Sequence, residues 1–196
     1  MYPAMDLTVP TERAGGLRLR TLTSRDADLI VEATRAETRA ALWGPRPTGP
    51  YSLADAQSAL DDWSGLTDGQ VSYGVLDQSS DGPRLVGAVG VMPDAPRSAE
   101  LAYWVRPECR RRGIGLRAVR AVTWWAHEQA GVRRVWLEIN PDNDPSRALA
   151  LRAGFRFEER IAGHCRSWVE DDPARDVRHD CLIWIHESAD GYPANS

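Results

Sequence analysis

The feature that most constrains the fold is a change in the order of the elements near residue 106. Before it, strand-like apolar segments over 69–77, 85–92 and 98–105 are joined only by short turns. Connections this short require neighbouring antiparallel strands. After it, helical and strand-like segments alternate, which is typical of parallel pairing. The pattern predicts an α+β (α/β-type) fold: a mixed sheet, antiparallel first and partly parallel later, with helices on both faces.

Length and composition predict one globular domain. The chain has 196 residues, of which 42% are hydrophobic. We place the domain at residues 17–187, after a loose, flexible arm (1–16) and before a short tail (188–196). No apolar run is long enough for a secretory signal or a membrane span, so the sequence predicts a cytoplasmic protein without a membrane partner.

The three cysteines have no spacing typical of a shared site. Cys109, Cys165 and Cys181 form no CxxC pair, so neither a metal site nor a disulfide framework is predicted. An odd number of cysteines favours a reducing compartment.

The charge balance argues against nucleic acid as a partner. The net charge is -4, whereas nucleic-acid-binding domains are usually basic. All 24 basic residues are arginine, so the chain has no lysine to be modified. An arginine patch at RRRG that binds RNA or DNA is the alternative, and steep loss of binding with salt would identify it.

The sequence RRRGIG, residues 110–115, precedes a helix predicted over 114–130. A helix start has unpaired N–H groups and partial positive charge, and glycines allow a ligand to come close to the backbone. Arginines add charge-assisted contacts to phosphate. The motif lacks the GK[ST] of a P-loop and the GxGxxG of a dinucleotide-binding fold. It predicts a phosphate-bearing ligand, and an ordinary charged turn is the alternative.

Two longer segments resemble the GNAT acetyltransferase superfamily, and within it the RimJ/RimL type. They are ELAYWVRPECRRRGIGLRAV and INPDNDPSRALALRAGF. The resemblance covers residues 17–187. It implies a mostly antiparallel sheet of about six to seven strands, splayed between the fourth and fifth, which are here 98–105 and 133–139. It also implies that acetyl-CoA, or another acyl-CoA, binds in this opening.

The resemblance assigns roles to particular residues. The backbone near Trp104 and Val105 would pair with the pantetheine arm, and Asn143 would hydrogen-bond to it near Ser146. The pyrophosphate would lie on the loop amides, and the arginines would reach it or the ribose phosphate. These loop residues are Arg110, Arg111, Arg112, Gly113, Ile114, Gly115 and Leu116.

The implied reaction is direct acyl transfer to an amine, which needs no metal. The amine must lose a proton, the oxyanion needs a donor, and the thiolate is helped by an acid. Glu100 is the candidate base, on the wall of the opening. The alternative is an exposed carboxylate or one paired with a neighbouring arginine.

Ser146 is the candidate acid, and its alternative role is to cap the short helix. Many GNAT proteins have a tyrosine at the position of Ala150. Some RimL-like proteins have a catalytic glutamate where this chain has Cys165. Because that carboxylate is absent, His164 is a second candidate base.

Several functional alternatives stay open at this point. The acceptor is either a protein N-terminus or a small amine, and the acyl group is acetyl or a longer one such as succinyl. Because Ala150 and Cys165 replace the tyrosine and the glutamate of those relatives, a CoA-binding module without catalysis is also possible. The eight tryptophans and the resemblance allow a homodimer.

Overall fold

The computed structural model describes residues 6–9, 16–35, 50–62, 69–79, 82–167 and 177–188. These residues form eight strands and four α-helices. In chain order they are β1 (Asp6–Val9), β2 (Leu17–Thr21), α1 (Ala27–Thr34), α2 (Leu53–Asp62), β3 (Val71–Ser79), β4 (Gly82–Ala95), β5 (Ser98–Val105), α3 (Ile114–Glu128), β6 (Arg134–Ile139), α4 (Asp144–Ala153), β7 (Arg156–Ser167) and β8 (Val177–Glu187).

The strands form one mixed sheet in the order β1-β2-β3-β4-β5-β6-β8-β7. Every neighbouring pair is antiparallel except β5 and β6. The predicted mixed, mostly antiparallel sheet is therefore confirmed. The extent of parallel pairing was overestimated, because β8 lies between β6 and β7 and turns both contacts antiparallel.

The sheet has one strand more than the six to seven expected, because β1 forms within the predicted arm. Residues 6–9 pair with β2, and Leu7 and Val9 pack against the core. Their alternation with Asp6 and Thr8 gives the short segment one apolar side. This part of the arm is therefore a strand, not a loose segment.

Helices cover both faces of the sheet, as predicted. On one face, which we call the donor face, α3 and α4 pack over a large core that includes Val119, Val122 and Leu137. On the other, the acceptor face, α1 and α2 pack over a smaller core that includes Ile30 and Leu60. Every described helix is too short or too polar to cross a membrane.

Local sequence explains where α3 and α4 begin and end. Gly113 precedes α3 in the left-handed conformation, with φ 72°. Trp125 of α3 is buried, but its neighbour Trp124 is 54% exposed, because successive helical residues point about 100° apart. The Asn143 side chain caps α4, and Gly154, with φ 97°, ends it.

The sheet opens between β5 and β6. The two strands pair only from Ser98 to Glu100 on β5 and from Arg134 to Trp136 on β6. Beyond these residues β5 stays paired with β4, and β6 with β8, so the strands separate towards their carboxyl ends. The predicted splay is confirmed, and it lies at β5 and β6 because β1 adds a strand before them.

Candidate active site

The loop before α3 borders the opening on the donor face. Arg111 and Gly113 both have left-handed backbone, with φ 60° and 72°. The first helical N–H donor in α3 is Arg117, which binds the Gly113 carbonyl at 3.1 Å. The preceding amides of Ile114, Gly115 and Leu116 have no acceptor within the helix, as at any helix start. This geometry suits an anion, as the sequence predicts.

Gly115 is required for close packing of three elements. A Cβ atom at this position would lie 3.1 Å from Leu149 of α4, 3.3 Å from Val105 and 3.6 Å from Tyr103 of β5. The glycine therefore brings the start of α3 directly against β5 and α4. The loop, the strand end and the α4 start form one surface.

The three arginines of the loop have different positions. Arg110 donates from Nε to the Val105 carbonyl at 2.9 Å, so its side chain lies along the end of β5. That carbonyl was expected to face the pantetheine arm. Arg111 and Arg112 are exposed, and the Arg112 carbonyl accepts from Arg117 at 3.1 Å. Phosphate binding by these side chains stays a prediction.

The hydrogen bonds at the start of α4 distinguish between the two roles proposed for Ser146, which are helix cap and catalytic acid. The helix is capped by Asn143, whose side-chain oxygen accepts from the Ser146 N–H at 3.2 Å. The Ser146 hydroxyl lies instead 2.7 Å from the Tyr103 hydroxyl on β5. Ala150, at the position of the tyrosine in many GNAT proteins, is fully buried. Ser146 is thus not the cap, and its hydroxyl lies beside the opening.

Glu100 lies on the opposite, acceptor face, at the point where β5 and β6 separate. It lies opposite Met92 on β4 and Trp136 on β6. Burial, followed by the charges of Glu138 and Asp94, raises the pKa of Glu100 to about 7. Within the described residues no arginine forms an ion pair with it. A half-buried carboxyl with this pKa is suited to accept a proton near neutral pH.

Glu138 on β6 was not singled out from the sequence, and it lies beside two of the residues that were. Its carboxylate is 3.5 Å from the His164 ring nitrogen Nε2. The sulfur of Cys181 lies 3.3 Å from the same carboxylate, and Cys165 also contacts it. A carboxylate from β6 therefore occupies the neighbourhood of Cys165, where some relatives were expected to carry a catalytic glutamate.

Cys165 and Cys181 form a disulfide between β7 and β8, which corrects the prediction of no disulfide. Their Cα atoms are 5.7 Å apart, although the residues are 16 positions apart in sequence. The two cysteines are not register partners, since Cys165 lies opposite His179 and Cys181 opposite Ile161. They meet across an irregularity in β7 between Ile161 and Cys165, which cysteine spacing does not reveal. Cys109 is buried and free.

Glu138 and the two cysteines are also the residues that most resemble a metal site in the described part of the chain. Their ligand atoms lie within 4.8 Å of one another. Metals bind thiolates, and a disulfide offers none. The absence of a metal site stays a prediction.

Trp104 points its side chain to the acceptor face, where it packs against the smaller core. Its side chain is therefore not part of the loop surface on the donor face. Of the eight tryptophans, Trp43, Trp63 and Trp168 fall in or near predicted loops and are candidates for the acceptor pocket or a dimer contact. They lie outside the described residues. A separate surface pocket, near Arg97 and Gly131, lies at the opposite, closed end of β5 and β6.

Sequence reasoning missed Tyr103 and Glu138 as functional candidates. Tyr103 belongs to the predicted strand 98–105, and alternation along this strand places it on the face opposite Glu100. Glu138 alternates with Arg134 and Trp136 in RRVWLEI, and an acidic residue on a strand lining the opening was the available signal.

Comparison with known proteins gives consistent results. The family model described as the acetyltransferase (GNAT) domain matches residues 16–156. An uncharacterized N-acetyltransferase, YoaA, from Bacillus subtilis (strain 168) is 25% identical over 162 residues, covering 81% of this chain and 85% of that protein.

Solved structures show the same fold. The ribosomal-protein-S5-alanine acetyltransferase from Vibrio fischeri aligns with a TM-score of 0.76 at 18% identity, over 96% of this chain and 100% of that one. RimJ from Mycobacterium smegmatis, in complex with CoA-disulfide, aligns with a TM-score of 0.72 at 22% identity, over 96% and 90%. With the open sheet and the family match, these findings show that the chain belongs to the GNAT acetyltransferases and is an acyl-CoA-dependent N-acetyltransferase.

Proposed function

We propose that the protein transfers an acetyl group from acetyl-CoA to a primary amine, with the two substrates entering from opposite faces of the sheet. The observation that carries this proposal is the opening between β5 and β6. It has the glycine loop and Ser146 on the donor face and Glu100 on the acceptor face. The amine nitrogen and the thioester carbon would meet between these groups.

On the donor face, the amides of Gly113 to Leu116 would bind the pyrophosphate, and Arg111 and Arg112 would add charge. The pantetheine arm would run along the unpaired part of β5 towards Asn143. Ser146 would donate a hydrogen bond to the sulfur as it leaves. Each of these roles is supported by position and hydrogen-bonding chemistry.

On the acceptor face, Glu100 would take the proton from the incoming ammonium group, directly or through one water. Its raised pKa supports this role, because a base must be ionised for part of the population and still bind a proton at neutral pH. Glu138 would hold negative charge next to Glu100, and His164 would pair with Glu138. His164 is 53% exposed and acts in this proposal as a partner, not as the base.

The acceptor we propose first is the N-terminal amine of a protein. The fold neighbours that are named as ribosomal-protein acetyltransferases support this choice. A small cationic amine is the second candidate, because Asp94, Glu100 and Glu138 place carboxyl groups near one another on the acceptor face. A cytoplasmic location and a homodimer are parts of the proposal that rest on the sequence and the family.

Calorimetric titration with acetyl-CoA, succinyl-CoA and free CoA at one salt concentration tests the donor. Micromolar binding with preference for acetyl-CoA supports the proposal. Preference for succinyl-CoA would mean that the transferred group is succinyl and not acetyl. Absence of binding to all three would overturn the site.

The acceptor is tested by following CoA thiol release. A short peptide with a free N-terminal alanine is compared with the same peptide N-acetylated, and with a polyamine. Turnover of the free peptide alone supports a protein acceptor. Turnover of the polyamine alone supports the second candidate.

A further inference from the structure

The Tyr103–Ser146 hydrogen bond joins β5 to α4 on the donor face. The oxygen atoms are 2.7 Å apart, a normal length for a hydroxyl–hydroxyl bond. The residues are 43 positions apart in sequence, so the contact exists only through the fold. We propose that Tyr103 is a positioning residue for acyl transfer: its phenol holds the Ser146 hydroxyl so that the Ser146 proton points at the CoA sulfur.

The direction of this hydrogen bond follows from the chemistry of the two groups. A serine hydroxyl has one proton and two lone pairs, so it can accept from one group while donating to another. If the phenol donates to Ser146 Oγ, the serine proton is left for a second acceptor. The thiolate that forms in the opening is the acceptor the reaction supplies. This step rests on the proposed function.

The phenol is suited to remain the donor throughout. Burial raises the pKa of Tyr103, and the hydrogen bond with Ser146 opposes this only in part. Tyr103 therefore stays protonated at neutral pH. Its ring also packs against the larger core on the donor face, which restricts its movement. A rigid ring gives the serine hydroxyl one orientation before the substrate arrives.

The proton balance of the step requires no transfer from Tyr103. The amine nitrogen, deprotonated by Glu100, attacks the carbonyl carbon and forms the C–N bond. The C–S bond then breaks, and its electron pair goes to sulfur. The resulting thiolate is stabilised by the Ser146 hydrogen bond and takes up, through water, the second proton that the nitrogen releases as the amide forms. Tyr103 acts through Ser146 and does not touch the substrate.

The pKa of the thiol of bound CoA tests this without an acceptor. The complex with free CoA is titrated by ultraviolet absorbance of the thiolate, with the CoA-free protein subtracted. We expect the Ser146→Ala variant to raise the thiol pKa by about 1 unit. The Tyr103→Phe variant should raise it by about half as much, because the serine keeps its proton but loses its orientation.

The double variant gives the decisive comparison. If Tyr103 acts only through Ser146, the variant with both substitutions has the thiol pKa of Ser146→Ala alone. Additive shifts would overturn the inference. Tyr73→Phe is the matched control, since Tyr73 is a buried tyrosine that packs on Trp125 at a 5.1 Å ring separation, and it should leave the thiol pKa unchanged.

Failure of the inference and failure of the proposed function give different results. If Ser146→Ala raises the thiol pKa and Tyr103→Phe does not, only the role of Tyr103 is wrong. If neither variant changes it although CoA binds, the role of Ser146 is wrong, and that of Tyr103 with it. CoA affinity of Tyr103→Phe should equal that of the unsubstituted protein, because phenylalanine retains the ring.

Discussion

The two faces of the opening are built in different ways. The donor face uses two short continuous stretches, residues 103–116 and 143–146, whose order is fixed by one strand end and two helix starts. The acceptor face combines single side chains from five strands, β4 to β8, among them Glu100, Glu138 and Cys181. In the proposed function, donor binding therefore depends on backbone geometry, and removal of a proton from the acceptor depends on side-chain chemistry. Substitutions on the donor face should therefore change acetyl-CoA affinity, and those on the acceptor face should change the catalytic rate.

The largest expected effect is on the acceptor face. Glu100→Gln should lower kcat about 1,000-fold, because the amine loses its base, while acetyl-CoA affinity stays the same. In the unsubstituted enzyme, kcat/KM should rise with pH as Glu100 loses its proton near pH 7, and the variant should lack this rise. Equal rates in the two proteins would exclude Glu100 as the base.

Glu138→Gln sharpens the same test. Removal of the neighbouring negative charge lowers the pKa of Glu100, so the rise of kcat/KM should move to lower pH. A rise at unchanged pH would mean that Glu138 does not interact with the base.

The next effect is on the donor face. Gly113→Val should weaken acetyl-CoA binding at least about 100-fold, because it obstructs the loop where the pyrophosphate is expected. Gly131→Val is the matched control. Gly131 has a similar left-handed φ of 66°, and a Cβ atom there would meet no atom within 4 Å. Both variants should lose similar stability, and only Gly113→Val should lose affinity in calorimetry.

The disulfide gives a smaller effect, on stability, next to the acceptor face. Reduction of the Cys165–Cys181 bond should lower the free energy of unfolding by about 3 kcal/mol, the value for a loop of this length. Urea unfolding with and without reductant measures it. The double variant Cys165→Ser/Cys181→Ser should not respond to reductant. Three free thiols in the untreated protein would contradict the disulfide.

The smallest effect lies on the donor face, far from the opening. His127 and His186 share a hydrogen bond of 2.9 Å, and burial followed by the charge of His127 lowers the pKa of His186. The unfolded chain then binds more protons below pH 6.5, so stability should fall as the pH drops from 6.5 through the lower, folded-state pKa. Because the ring is half-buried, this group changes the free energy of unfolding by less than about 1 kcal/mol.

Thermal unfolding at several pH values, compared with His186→Gln, measures this contribution. The variant should show a smaller decrease in melting temperature below pH 6.5. Parallel pH dependence in the two proteins would show that the pair does not couple to folding.

The sequence predicted the parts of the fold that depend on local patterns. The meander from β3 to β5, the helix after RRRGIG and the opening beside Val105 follow from alternation, helix-start chemistry and the resemblance. The insertion of β8 between β6 and β7 could not be predicted, because strand order is decided by packing across the sheet. Strand β1 was missed because four alternating residues carry little signal.

The site, like the fold, was predictable where it depends on local sequence motifs. Gly113, Gly115 and Ser146 could be identified because they belong to short motifs. Glu138, the Cys165–Cys181 bond and the Tyr103–Ser146 contact could not, because each depends on which residues meet across neighbouring elements. Glu100 lies between these cases: alternation gave its face, and only the fold gave its burial and acidic neighbours.

The opening through the sheet has a kinetic consequence. If the donor binds on one face as proposed, the other face stays accessible, so the second substrate does not have to wait for the first product to depart. Initial-rate plots against either substrate should therefore intersect, and no acetylated form of the enzyme should accumulate. Because the chain also contains no lysine, it carries no side-chain amine that could compete with the acceptor for the acetyl group.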